Sequence, residues 1–195
     1  MTFLEAVSIV ASRLQGGDPT GSKGNWLERF TPASRRARAR AEAPAVQERF
    51  LLFRVGDEIY GIGLRGLHEV LPSDGVAGVP TRPFQVCVPL THRGRGSPVI
   101  RMGVLFEETE RAIPATARVL LTRVQKRLLG LLVDEVLEMA EVDPAQIAPL
   151  PALATLLPPA CFRGLFTRQE RVVLLVDEEG LGGLDEVAQC AAAGS

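Results

Sequence analysis

The stretch Gly130-Leu131-Leu132-Val133-Asp134-Glu135-Val136-Leu137 is one of the two most informative parts of this chain. Residues 127–134 form a short apolar run that ends on an acid, and residues 136–142 form a second run directly after it. Runs of this length, rich in Val and Leu and bounded by charge or turn residues, are typical of β-strands. The stretch therefore predicts two consecutive strands that meet at Asp134.

The same pattern continues in both directions along the chain. Residues 50–55 and 59–64 predict a hairpin, because Gly56-Asp57-Glu58 between them favours a tight turn. Residues 67–71 fit one face of a single helical turn. Further strands are predicted at residues 99–106, 117–124, 162–166 and 171–176, and a weak helix at residues 181–193. Many short strands without a long helix between them indicate a mainly β protein with antiparallel sheets closed into small barrels.

The composition is that of a folded chain without a membrane span. The chain has 195 residues, of which 46% are hydrophobic, enough to bury one sizeable core or two small ones. Its apolar runs are interrupted by Arg and Lys and fall short of the roughly 20 residues that a membrane helix needs. The N-terminus has no basic region before an apolar core, so neither a secretory signal nor direct membrane insertion is expected.

The cysteines and histidines form no recognisable ligand pattern. Cys87, Cys161 and Cys190 are odd in number and lack C-x-x-C spacing, which predicts neither a disulfide framework nor a zinc site. They are expected to be reduced, which favours a cytoplasmic location. No metal or other cofactor is expected, because His68 and His92 complete no ligand cluster with the cysteines.

Residues 1–46 differ from the rest of the chain. They contain seven Lys/Arg and four Asp/Glu, and after a short amphipathic helix predicted at residues 3–14 they are rich in Gly, Pro, Ser, Ala and Arg. This composition predicts a flexible basic arm. Residues 35–40 include four arginines that could contact phosphates, but no reading module follows them, so nucleic acid is not an expected partner.

Residues 61–66 match the G-x-G-x-x-G pattern of dinucleotide-binding turns. Such a turn needs a crossover helix after it, and Pro72, Pro80 and Pro83 interrupt the segment that would form one. The chain also lacks a G-x-S-x-G nucleophile elbow. We therefore expect a non-enzymatic protein, with a small ligand-binding or enzymatic barrel that uses these glycines as a remote alternative.

The stretch Leu90-Thr91-His92-Arg93-Gly94-Arg95-Gly96-Ser97-Pro98-Val99-Ile100-Arg101-Met102 places an Arg-Gly turn before a strand that Pro98 opens. Together with the first hairpin and the strand that ends in Val133-Asp134, it resembles the CheW family over about residues 48–185. The resemblance implies a mainly β fold of two intertwined five-stranded barrels, similar to Src-homology-3 domains, with short N- and C-terminal helices.

The resemblance also implies a function and partners. Members of the family are non-catalytic adaptors in bacterial chemosensory signalling. This chain is then expected to couple the cytoplasmic tip of a chemoreceptor to the regulatory domain of a CheA-type histidine kinase. It would act in the cytoplasm, at receptor arrays beneath the inner membrane.

The family pattern also supplies candidate site residues. The candidate partner-binding residues are Leu67, Glu69, Arg93, Gly94 and Arg101. Arg93 matches the family's arginine, whose planar donor fork either clamps a partner's carboxylate or fastens a turn inside the fold. Glu69 either contacts a partner or is simply solvated. The residues expected to maintain the structure are Gly56, Pro98, Val133 and Asp134.

Some positions depart from the family pattern. Thr91 and His92 stand in place of Asn and Leu, and Arg101 stands where relatives usually carry Asp. A reversed charge can change partner choice. The alternative function is therefore a divergent module that binds only the kinase-like partner in a non-chemotactic pathway, such as pilus motility or gene regulation. The expected organisation is an arm at residues 1–46, a CheW-like domain at residues 47–187 and a tail at residues 188–195.

Overall fold

A computed structural model describes residues 47–77, 85–92, 94–107, 112–124, 127–151 and 157–193. The basic arm, the helix predicted at residues 3–14, and Arg93 lie outside the described residues. Residues 48–195 form one compact unit, which contains all of the described strands and helices.

The described residues form ten β-strands in two five-stranded sheets. Sheet 1 contains β1 (Glu48–Val55), β2 (Glu58–Gly63), β8 (Glu135–Val142), β9 (Phe162–Arg168) and β10 (Arg171–Val176), in the order β8-β1-β2-β10-β9. Sheet 2 contains β3 (Leu67–Pro72), β4 (Cys87–His92), β5 (Arg95–Arg101), β6 (Arg118–Val124) and β7 (Arg127–Val133), in the order β3-β6-β7-β5-β4. The chain thus leaves sheet 1, builds all of sheet 2 and returns, which confirms the intertwined arrangement.

The helices of the described part of the chain are short. They are α1 (Asp74–Ala77), α2 (Met102–Glu107), α3 (Glu178–Gly182) and α4 (Asp185–Ala193), with 3₁₀ turns at Pro144–Gln146 and Pro159–Cys161. The predicted C-terminal helix is therefore present, divided between α3 and α4. Within the described ranges, no helix has the length and apolar character needed to cross a membrane.

The predicted first hairpin is confirmed. β1 and β2 pair antiparallel with Val55 opposite Glu58, and Gly56 in the turn has a φ of 60°. That left-handed conformation costs glycine little and most other residues more. Most strand pairs are antiparallel, as expected, but each sheet also contains one parallel pair, β2 with β10 and β5 with β7.

Three elements differ from the sequence prediction. Residues 67–71, predicted as a helical turn, belong to β3, which pairs with β6. The strand predicted at residues 99–106 ends at Arg101 and continues as α2. β4 was not predicted, since Pro89 interrupts its strand pattern. For β3 and β4, pairing within sheet 2 outweighs a weak local preference.

Each sheet encloses its own apolar core. The core of sheet 1 contains Phe50, Leu52, Ala140, Val142, Phe166, Val173 and Leu175. The core of sheet 2 contains Leu71, Val76, Val88, Leu90, Val99, Ala117, Val119, Leu121 and Leu132. Full burial of one such Val, Leu or Phe side chain contributes about 1.5–3 kcal/mol.

A row of aromatic rings joins the two sheets. Phe53 stacks on Tyr60 with ring centroids 5.8 Å apart, and Tyr60 contacts Phe106 at 4.6 Å. Phe106 in turn lies 5.9 Å from Phe162. Phe106 belongs to α2, which follows a strand of sheet 2, whereas the other three rings belong to sheet 1. The row thus forms an apolar contact between sheet 1 and the helix that follows β5 of sheet 2.

The edges of sheet 1 meet through side chains. Glu138 on β8 accepts hydrogen bonds of 2.7 and 3.2 Å from Arg168 on β9. Because β8 and β9 are the two outermost strands of sheet 1, this contact requires the sheet to curve until its edges approach. The Arg168 hydrogen bonds hold the pKa of Glu138 below its usual value. The pair is exposed and adds little stability.

The expectation that all three cysteines are unpaired is wrong. Cys87 on β4 is paired with Cys190 on α4 as a disulfide, with Cα atoms 5.7 Å apart. Cys161 is free and buried. No local pattern indicates the pairing, because the two cysteines lie 103 residues apart and meet only once α4 packs beside β4.

Candidate partner-binding surface

The junction of β7 and β8 is where the chain returns from sheet 2 to sheet 1. Asp134 Oδ2 accepts a 2.7 Å hydrogen bond from the Gly56 amide, and the Asp134 amide donates to the Arg54 carbonyl oxygen at 3.0 Å. Arg54 also donates to Glu135 Oε2 through Nε and Nη2, at 3.2 and 2.8 Å. Val133 is buried beside them. The structure thus brings three of the expected structural residues together, and they tie the first turn of sheet 1 to the end of β7.

The edge of sheet 2 brings a carboxylate and an imidazole together. Glu69 on β3 and His92 on β4 belong to the two outermost strands, and their Oε2 and Nε2 atoms are 3.3 Å apart. The His92 Nε2 atom is buried and makes no well-aligned hydrogen bond. The contact is therefore mainly electrostatic, and it is an ion pair when the imidazole is protonated. In sheet 2, as in sheet 1, a side-chain contact links the two outermost strands, but no backbone ladder joins them among the described residues.

Apolar residues and a turn lie next to these two residues in sequence. Leu67 is half-buried at the start of β3, and Val70 is 41% exposed. Gly94, in the turn after β4, is exposed with a φ of 74°, a conformation that favours glycine. We call Leu67, Glu69, Val70, His92 and Gly94 the β3–β4 edge. It contains three of the five predicted partner-binding residues, and Arg93 lies in sequence between His92 and Gly94.

Pro98, predicted to be structural, lies within β5 rather than at its start. Its cross-strand neighbour on β4 is Pro89. Neither residue has an amide hydrogen, so the β4–β5 ladder has no backbone donor at this position on either strand. Pro98 is buried and Pro89 is exposed. β4 is one of the two outermost strands of sheet 2, where a strand proline such as Pro89 is best tolerated.

Arg101, the fifth predicted partner-binding residue, is only 6% exposed at the end of β5. Its Nη1 donates to the Gln85 carbonyl oxygen at 3.3 Å, and its amide donates to the Val86 carbonyl oxygen at 2.8 Å. These bonds hold the segment that leads into β4. A role for Arg101 in partner choice stays a prediction, and with this burial any such effect is expected to be indirect.

The glycines at residues 61–66 do not form a phosphate-binding turn. Gly61 lies within β2, where a Cβ would stand 2.9 Å from Leu175 Cδ2. A Cβ on Gly66 would stand 3.0 Å from Glu178 Oε1, so a carboxylate faces the last glycine of the motif. An anionic phosphate would meet like charge there. The alternative of a small ligand-binding or enzymatic barrel that uses these glycines therefore loses the feature that motivated it.

Two features of the surface were missed by the sequence reasoning. The Glu69–His92 contact joins residues of strands that are not neighbours in the chain. On β8, Leu137 is 40% and Met139 67% exposed, and both lie on the face that alternates with buried Ala140 and Val142. The sequence of β8 contains apolar residues on both faces of the strand, and this pattern could have predicted the exposed apolar pair.

The fold places the chain in the class of proteins built from two intertwined five-stranded sheets that resemble Src-homology-3 barrels. The model of the CheW-like domain matches residues 49–185. This range includes both sheets, and the chain belongs to the CheW-like domain family.

Known proteins with similar sequences and structures agree. The chain is 29% identical over 143 residues to the chemotaxis protein CheW of Klebsiella aerogenes, covering 73% of this chain and 86% of that protein. It is 26% identical over 132 residues to the chemotaxis protein CheW of Rhizobium meliloti, covering 65% and 82%. The crystal structure of the scaffolding protein TtCheW from Thermoanaerobacter tengcongensis superimposes with a TM-score of 0.64 at 21% identity, covering 74% of this chain and 94% of that chain.

Proposed function

We propose that this protein is a non-catalytic adaptor that holds a chemoreceptor tip and the regulatory domain of a CheA-type histidine kinase in one signalling complex. The observation that carries the proposal is the family match over residues 49–185. This range contains all ten described strands except Glu48, the first residue of β1. The similar proteins are chemotaxis proteins and a scaffolding protein. The protein acts in the cytoplasm, next to the membrane that holds the receptors.

The β3–β4 edge supports this role as a partner-binding surface. Leu67 and Val70 offer apolar area on β3, while the Glu69 side chain is 33% exposed. A partly exposed charge with apolar neighbours is the mixture that protein interfaces use. Because the Glu69–His92 contact is intramolecular, a partner that binds here must either replace this contact or bind beside it. A cation of the partner next to Glu69 would bind beside it.

Arg93 contributes a positive charge in sequence between His92 and Gly94. As a proposal, its guanidinium donates two hydrogen bonds to one carboxylate of a partner. Gly94 serves this role by letting the turn adopt its positive φ of 74°. Arg101 acts from inside the fold, by holding the segment before β4.

The experiment is titration calorimetry of the full chain against the kinase regulatory domain and, separately, a receptor-tip fragment from the same organism. The variants are Glu69→Arg and Arg93→Ala, and the control is Glu170→Gln, an exposed acid in the β9–β10 turn of the other sheet. We expect binding to both partners. Each of the two variants should weaken at least one affinity about tenfold or more, equivalent to about 1.4 kcal/mol, while the control matches wild type.

The outcomes test the adaptor function and the β3–β4 edge separately. Binding to both partners without any effect of Glu69→Arg or Arg93→Ala would keep the adaptor and reject the β3–β4 edge as its surface. Binding to the kinase domain alone would support the divergent kinase-only module. Binding to neither partner would reject the adaptor function.

A further inference from the structure

The Cys87–Cys190 pair connects two elements that are remote in sequence. Cys87 begins β4, one of the two outermost strands of sheet 2, and Cys190 lies in α4 near the end of the chain. Their Cα atoms are 5.7 Å apart, within the range that a disulfide spans without backbone movement. The bond encloses most of sheet 2 and the second half of sheet 1 in one covalent loop.

α4 is short and has few buried side chains. The helix has nine residues, and helices this short are marginally stable without tertiary contacts. Val187 and Cys190, three residues apart, are 2% and 4% exposed and form the buried stripe of its described side chains. One of the two anchors of α4 is therefore the sulfur atom itself.

A groove gives small molecules access to the pair. It has a volume of about 760 Å³ and lies between β4, β5 and α4. Residues that line it include Cys87, Pro89, Pro98, Glu186, Gln189 and Cys190. Cys161 does not line this groove, and its side chain is buried against the Gly180 carbonyl oxygen. Burial raises the pKa of the Cys161 thiol, which lowers the fraction of reactive thiolate.

We propose that Cys87 and Cys190 form a reversible thiol–disulfide site, which holds α4 against β4 and β5 when oxidised and releases it when reduced. A dithiol reductant opens the site. One of its thiolates attacks a protein sulfur to form a mixed disulfide and releases the other protein thiol. The second thiol of the reductant then attacks the mixed disulfide, which releases the remaining protein thiol and leaves the reductant as a cyclic disulfide. A low-molecular-weight disulfide closes the site and leaves as two thiols. Release of α4 uncovers the outer side of β4 and β5.

The inference extends the proposed function at one point. In a reducing cytoplasm a disulfide is usually transient and redox-sensing rather than permanent, so the proposed location favours a reversible site. The chemistry of the site itself does not require a chemosensory partner. A negative result for the thiol–disulfide site can therefore be distinguished from a negative result for the adaptor function.

The test uses the full chain equilibrated in glutathione buffers from fully reduced to fully oxidised. Thiols are trapped by alkylation, the linked peptides are mapped by mass spectrometry, and amide hydrogen exchange is followed over residues 185–193. We expect a Cys87–Cys190 link that forms and breaks with the buffer ratio while the rest of the chain stays folded. Exchange in α4 should be at least about tenfold slower in the oxidised chain.

Two variants and one control complete the design. Cys190→Ser and Cys87→Ser should each show fast exchange in α4 under all buffers, and either one suffices if the other fails to fold. Cys161→Ser should keep the full response of wild type. The proposal is overturned by an oxidised chain without the Cys87–Cys190 link, by a link that dithiols break only when the chain unfolds, or by equal exchange in α4 with and without the link.

Discussion

Single glycines show how tightly this fold is packed. A Cβ on Gly180, in α3, would overlap the backbone carbonyl of Ala160. Among the described residues beyond its two chain neighbours, no atom lies within 4 Å of the position that a Cβ on Gly96 would take. The obstacle at Gly180 is backbone, which cannot rotate away as a side chain can. Gly180 also donates its amide to Asp177 Oδ1 at 2.8 Å, the bond that begins α3.

We therefore expect Gly180→Ala to lower the free energy of unfolding by about 2 kcal/mol or more, since overpacking forces backbone shifts. The matched variant Gly96→Ala, in β5, should change the free energy of unfolding by less than about 0.5 kcal/mol. Urea denaturation of the two variants and wild type measures both values. Equal stability of Gly180→Ala and wild type would mean that α3 does not pack closely against residues 159–161.

At the scale of elements, α3 carries a carboxyl group into a confined position. Glu178 Oε1 and the buried Thr122 Oγ1 both face Gly66, at 3.0 and 3.2 Å from the position of a Cβ there. Burial raises the pKa of Glu178, and the nearby Asp177 charge adds to the effect. The pKa of Glu178 in the unfolded chain is near 4.5, so the folded protein holds this proton more tightly than the unfolded chain does.

It follows that the ionised Glu178 costs stability at neutral pH. Between pH 4.5 and the raised pKa the folded state binds more protons than the unfolded state, so this group lowers stability as the pH rises through that window. We expect Glu178→Gln to raise the melting temperature at about pH 7 and to leave it unchanged at about pH 3, where both states are protonated. Thermal unfolding at the two pH values checks this, with exposed Glu179→Gln as the control. A variant with no gain at neutral pH would contradict the burial of the charge.

The sequence predicted those elements whose local pattern and tertiary environment agree. β1, β2, β6, β7, β8 and β10 have dense apolar runs bounded by turn residues, and all six were found. β3 was mistaken for a helical turn because Leu67, Val70 and Leu71 fit both a helix face and a bulged strand. Pairing with β6 decides between them, and no local pattern contains that information.

The candidate site was less predictable than the fold. The family pattern identified Leu67, Glu69 and Gly94, but not their relation to His92, which appeared only as a departure from the pattern. Glu69 and His92 meet because β3 and β4 are the two outermost strands of sheet 2, a property of strand order alone. Arg101 was a candidate partner-binding residue because of its departure from the family pattern, and its guanidinium donates to the backbone carbonyl of Gln85.

At the scale of the whole molecule, the contacts that hold the unit together lie within residues 48–195. The two sheets, the aromatic row between them and the Asp134–Gly56 hydrogen bond all belong to this part of the chain. The strand β1 starts at Glu48 and pairs with both β2 and β8. All described strands of sheet 1 therefore lie at or after residue 48. A chain that begins at residue 47 therefore retains every described element.

We expect a chain of residues 47–195 to melt within about 3 °C of the full chain, the shift that about 1 kcal/mol produces at this size. Its affinity for the kinase regulatory domain should also match that of the full chain. A shorter chain that begins at residue 58 serves as the control. It lacks β1, which would separate β8 from β2 and remove Phe50 and Phe53 from the core, so it should not fold. Calorimetric melting of the three chains measures this, and a large loss of stability on removal of residues 1–46 alone would show that the arm is part of the folded unit.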